Sequence, residues 1–141
     1  MGKLVHSLRD AVLLIARIGI GVVFIAHGAM KLGDLGGTAA GFGQMGIPLP
    51  TLSAYFAAFV ETFGGAALVL GALLPIVGVL LAVVTAGAIV FVHGKNGFFM
   101  PSGYEYVLTL TLAALALGFG GGGRYSVDAF LAARKGQAVS A

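Results

Sequence analysis

No Asp, Glu, Lys or Arg lies between Asp34 and Glu61, between Glu61 and Lys95, or between Glu105 and Arg124. A helix that crosses a membrane needs roughly 20 mostly apolar residues, and these stretches have the length for it. Over the whole chain of 141 residues, 59% are hydrophobic and 9% charged, against about a quarter charged in soluble domains. The mean hydropathy is +1.04. These values exclude a water-soluble single domain and a disordered chain. They predict an all-α membrane protein, a four-helix transmembrane bundle forming a single domain over residues 1–141.

The spans are expected at about residues 11–31, 53–74, 76–93 and 104–119. The first could be misread as a signal peptide, but its length and the internal Arg17 fit a retained anchor better. Residues Gly33 to Pro50 read as a Gly-rich loop, with Thr51 or Ser53 capping the second span. Pro75 breaks the apolar run between the second and third spans. A polar loop, Gly94 to Gly103, separates the third from the fourth, and Gly120 to Gly123 end the fourth. Glycine supplies 24 residues. In lipid, small residues let helix backbones approach closely, so Gly64, Gly65, Ala67 and Gly71, and Gly78, Ala82 and Ala86, read as packing seams.

The net charge of +3 does not imply a nucleic-acid partner, because Lys3, Arg9, Arg124, Arg134 and Lys135 gather at the two chain ends. By the positive-inside rule both termini are cytoplasmic. Residues 124–134 then form a short segment on the cytoplasmic interface, anchored by Tyr125 and Phe130. Arg124 is expected to neutralise carbonyls at the end of the fourth span and to stand four residues from Asp128. The alternative for this segment is docking of a cytoplasmic partner. There is no Cys, so the chain itself has no disulfide, thiolate metal site or thiol redox chemistry.

Ionisable groups inside a bilayer are costly and face the protein interior or escape to an interface. Side chains on a helix lean toward its N-terminus. Arg17 therefore leans toward the cytoplasm and is expected to snorkel, with a role inside the bundle as the alternative. Glu61 lies near mid-membrane and is too short to escape. It must be protonated, paired or facing a polar cavity. His27 and Lys31 share one face of the first span and lean toward Glu61, so Glu61 should contact one of them rather than Arg17. His93 and Glu105 lie at the same outer side. His27, Lys31, Glu61, His93 and Glu105 are the candidates for ligand binding or proton handling. Arg17, Arg124 and Asp128 are structural or interfacial charges. Each of the five has a structural alternative, as an ion pair or a helix-end charge.

These spacings argue against a haem held by His27 and His93 and against a metal site. No phosphate loop, nucleophile elbow or dinucleotide fingerprint is present. The catalytic residues and the cofactor stay unassigned, with a quinone as one candidate.

Taken in order, several elements resemble the DoxX family of membrane proteins. They are Arg17, Gly21, Phe24 and His27-Gly28 to Lys31; Gly46-Ile47-Pro48; Glu61, Gly64-Gly65 and Leu68 to Gly71; His93 and Asn96-Gly97-Phe98; Gly103-Tyr104-Glu105; and Gly123-Arg124-Tyr125-Ser126-Val127-Asp128. They cover about residues 10 to 131. Gly122 departs from the family, which often carries Pro there. The resemblance implies a four-helix protein of the bacterial inner (plasma) membrane. Some members are linked to thiosulfate:quinone oxidoreductases, others to complexes that handle oxidative and thiol stress, so it supports the fold more than the reaction. The leading expectation is a redox-linked subunit that binds a quinone or another small apolar molecule among its helices, with electrons from a membrane or cytoplasmic partner. The alternatives are a non-catalytic scaffold for a cytoplasmic partner and a small transporter subunit, which would need a homo-oligomer. The lipid bilayer is the partner common to all three.

Overall fold

The computed structural model describes residues 2–139. The side chains of residue 3 and of residues 137–139 lie outside that description, so the Lys3 charge counted above is not placed. Among the described residues all regular structure is helical: α1 (Gly2–Gly33), α2 (Leu35–Gln44), α3 (Pro50–Leu70), α4 (Leu74–Asn96), α5 (Glu105–Gly120) and α6 (Val127–Val139). Three of these, α1, α3 and α4, are long and apolar enough to cross a membrane. The fourth apolar helix, α5, has only 16 residues.

Several boundaries differ from the sequence expectation, each for a local reason. The first helix begins at Gly2, well before residue 11. The expected loop after it contains α2, capped by the Asp34 carboxylate, which accepts from the Gly37 amide at 2.8 Å. Neither Thr51 nor Ser53 is the cap of α3. That position is Leu49, in the left-handed region at φ 48°, with Pro50 in the first turn. The Ser53 hydroxyl donates instead to the Pro48 carbonyl at 2.6 Å. Helix α3 ends at Leu70 rather than Leu74, because Gly71 adopts φ +71° and caps it. Pro75 sits in the first turn of α4, where its missing N–H costs no hydrogen bond. It therefore starts a helix rather than ending one.

The core joins Phe24 of α1, Leu68 of α3, Leu74, Val77 and Leu81 of α4, and Leu110, Ala114 and Leu117 of α5. Helices α1 and α3 pack closely at Gly28, where an added Cβ would collide with Thr62. Helices α4 and α5 run antiparallel, with Gly78 against Gly118 and the Thr111 hydroxyl donating to Thr85 Oγ1 at 2.8 Å. Large apolar residues such as Val22, Phe63, Leu80, Val83, Val90 and Leu112 face outward, the pattern of helices solvated by lipid tails.

Both chain ends lie at one end of the bundle. Arg9 donates to the Gly120 carbonyl at 3.3 Å, and the Arg124 amide donates to Asp10 at 3.2 Å. The opposite end holds α2, the turn from Met45 to Pro50, and the loop between α4 and α5.

Candidate functional site

Each long helix after α1 contains one π-helical turn, Val60–Gly64 in α3 and Ile89–His93 in α4. Such turns are rare and recur at functional sites, because one inserted residue re-aims the side chains around it. The first π turn carries Glu61 and the second ends at His93. Both residues line a cavity of about 520 Å³ at the α2 end of the bundle.

The cavity wall is mostly apolar, formed by residues such as Phe24, Phe42, Ile47, Phe56, Phe91 and Leu110. A few polar side chains interrupt it: His27, Lys31, Ser53, Glu61, Thr85, His93 and Tyr106. Glu61 is only 7% exposed, and Lys31 Nζ donates to its Oε2 at 2.5 Å. The pair neutralises itself, as an ion pair in a low-dielectric setting must. Lys31 also reaches the His27 carbonyl in the last turn of α1 at 3.4 Å, where a cation complements the helix dipole. Among the described residues no group of three or more His, Asp or Glu could hold a metal ion.

His27, Lys31, Glu61 and His93 thus border one space. Glu105 does not. Its Oε1 accepts from the Met100 amide at 2.7 Å and braces the loop before α5. His93 has a similar second task, since its Nδ1 lies 3.1 Å from the Ser102 carbonyl. Sequence reasoning missed Thr85, Ser53 and Tyr106, as well as the apolar roof from Phe42 to Leu49. A buried Thr in the middle of an otherwise aliphatic helix was the available signal for Thr85.

Arg17, Arg124 and Asp128 work at the other end. Arg17 does not snorkel. It is 0% exposed, and its guanidinium donates to the Val69 carbonyl at 3.0 Å and the Tyr125 carbonyl at 2.7 Å. The chain folds its own carbonyls over the side chain instead. Gly71 makes room, since a Cβ there would strike Arg17 and Ser126. Asp128 accepts from the Leu73 and Leu74 amides at 2.8 and 3.0 Å, and so caps α4 rather than pairing with Arg124. Arg9, not Arg124, reaches the end of α5. The Arg124 side chain instead lies over the Tyr125 ring at 5.0 Å. Ser126 caps α6, accepting from the Ala129 amide at 3.2 Å.

The apolar helices and this arrangement define an integral, multi-pass membrane protein. Residues 12–94 match the DoxX family, and the chain belongs to it. The matched stretch runs from within α1 through most of α4, so Asn96-Gly97-Phe98, Gly103-Tyr104-Glu105 and residues 123–128 lie outside it. Among curated relatives, "Putative oxidoreductase CatD" of Bacillus subtilis (strain 168) is 37% identical over 97 residues, 69% of this chain and 71% of that protein. "Inner membrane protein YphA" of Escherichia coli (strain K12) is 34% identical over 85 residues, 60% of this chain and 61% of that protein. No solved structure matches the chain.

Proposed function

We propose that the cavity binds a small ring-bearing apolar molecule with carbonyl-type oxygens, a quinone being the fitting class, and that the protein is a redox-linked membrane subunit. The observation that carries this reading is the Lys31–Glu61 pair set in the wall of a cavity of about 520 Å³ that is otherwise mainly apolar. Ligand sites of this kind combine apolar walls with a few converging polar groups. The volume suits a head group and the start of its tail, with the rest of the tail lying in the bilayer. Lys31 Nζ would donate to one oxygen, and Thr85 and the two histidines offer further partners. Glu61 would hold the proton that a reduced oxygen takes up. With no Cys in the chain, electrons would come from a partner protein. The oxidoreductase name of the Bacillus relative supports the redox reading.

The same reading puts the end with both termini in the cytoplasm, since Arg9 of α1, Arg124 of the turn after α5, and Arg134 and Lys135 of α6 belong to it, and treats α5 as a fourth span. The bacterial inner membrane is the setting this topology implies.

The test is purification in native lipid followed by extraction and mass spectrometry of bound small molecules. A quinone should co-purify with the wild type and fall at least about tenfold in the folded K31M/E61L double variant. Equal retention by the double variant, or no enrichment with the wild type, would overturn the proposal and leave the pair a scaffold element.

A further inference from the structure

We infer that the loop between α4 and α5, residues 97–104, is immersed in the lipid leaflet rather than exposed to water. Three independent observations lead there. The first is register. Gly78 lies against Gly118, and Thr85 bonds Thr111, and the same antiparallel register puts Glu105 beside Phe91. Helix α4 continues to Asn96, so the loop descends about five residues, roughly 7 Å, along the last turns of α4. Helix α4, with 23 residues, is roughly 34 Å long and fills a hydrocarbon core of about 30 Å, whereas α5, with 16, reaches only about 24 Å. The start of α5 therefore lies below the membrane surface.

The second observation is the loop surface. Phe98, Phe99 and Met100 project outward in succession, Phe99 at 76% exposure. Phe98 packs edge-on against both Phe99 and Tyr104. Three adjacent exposed apolar side chains on an ordered loop are costly in water and favourable against acyl chains.

The third is the backbone. Lipid-exposed irregular chain does not occur in the hydrocarbon core. An exposed loop below the end of α4 can therefore reach only the headgroup and interfacial region, and there it is favoured when its polar groups are met by protein. Here the Gly103 amide donates to Phe99, the Tyr104 amide to Gly97 and the Glu105 amide to Phe98, all within 3.0 Å. Glu105 accepts from the Met100 amide, and the Ser102 carbonyl meets both the Asn96 amide group at 3.2 Å and the His93 ring. Much of the loop's polar backbone is thus bonded within the protein, which suits the loop to the interfacial depth of the leaflet, where headgroups can meet the rest. In this reading Glu105 is a positioning residue for the loop.

The chain has no Trp, so F99W gives a single fluorescent reporter. The full-length variant is reconstituted into phosphatidylcholine–phosphatidylglycerol vesicles that carry bromine at defined acyl-chain depths, and F63W on α3 serves as a mid-span reference. F99W should emit at short wavelength, resist acrylamide, and be quenched most by bromines near the headgroup, at a shallower depth than F63W. Acrylamide quenching close to that of free tryptophan would overturn the inference in favour of a water-exposed loop. Resistance to both quenchers would overturn it in favour of a protein contact. Adding E105A to F99W should raise acrylamide quenching at least about twofold, whereas E105A in F63W should leave it unchanged. An equal rise at both positions would mean that E105A unfolds the bundle, and the F99W result alone then decides.

Discussion

The two ends of the bundle use the same kinds of side chain for opposite purposes. At the end where the termini meet, four charges are spent on backbone: Arg17 on the Val69 and Tyr125 carbonyls, Asp128 on the Leu73 and Leu74 amides, Asp10 on the Arg124 amide, and Arg9 on the Gly120 carbonyl. These contacts join residues more than 50 positions apart. At the other end Lys31 and Glu61 bond each other across the edge of an apolar cavity, and His27 and His93 stand around the same space. A buried charge that satisfies backbone holds a fold together. A self-paired charge beside a cavity can exchange its partner for a ligand.

The largest effect should come from breaking the first kind. Arg17→Ala removes two charge-assisted hydrogen bonds and leaves a void at a fully buried site, a loss of about 5 kcal/mol. Arg17→Lys should recover less than half of it, because a single ammonium on a flexible stem does not span two carbonyls as a guanidinium does. Thermal unfolding in detergent measures both. If R17A is as stable as the wild type, the guanidinium is not a structural tie.

The cavity end should break differently. Glu61→Leu alone strands the Lys31 cation and should cost about 3 kcal/mol, while the K31M/E61L double should recover most of that loss. Recovery without ligand retention is the signature of a site, and recovery with retention that of a scaffold. No comparable rescue exists for Arg17, whose partners are carbonyls that no substitution removes. Asp128→Ala should cost about 1–2 kcal/mol, the range of a lost helix cap. It should also speed hydrogen exchange of the Leu73 and Leu74 amides without affecting the cavity. Unchanged exchange there would show that Asp128 is dispensable as a cap.

How far the sequence could be read follows the same division. The three long apolar helices were legible because lipid-facing helices must be apolar along their whole length. The facing of Glu61 toward Lys31 followed from the lean of side chains on two antiparallel helices, a property of covalent geometry. Arg17 was not legible. Its depth was, but its acceptor on Tyr125 lies 108 positions away, and only the tertiary fold brings that carbonyl over it. Helix α2 was hidden by its glycines, which argue against helix locally, although Asp34 three residues before Gly37 was a cap signal that could have been used. The π turns at Glu61 and His93 leave no trace in composition. Glu105 was grouped with the outer-side candidates from its position at the start of the fourth span, whereas its carboxylate accepts from the Met100 amide, a local contact that composition does not signal.

The mildest substitution separates the two ends most finely. Thr85 is buried in α4, donates to the Leu81 carbonyl at 3.0 Å, accepts from Thr111, and lines the cavity. It therefore belongs to both descriptions, a packing hydroxyl and a cavity wall. Thr111→Val removes the interhelical bond but leaves the Thr85 hydroxyl in place. Such bonds between membrane helices average about 0.6 kcal/mol, so stability should fall by about that much and ligand retention should stay within about twofold. Thr85→Val loses the same bond and also the cavity hydroxyl. If that hydroxyl serves the ligand, T85V should match T111V in stability yet retain several-fold less ligand. Equal retention by the two variants would assign Thr85 to packing alone and reduce the polar contribution of the cavity to Lys31, Glu61 and the histidines.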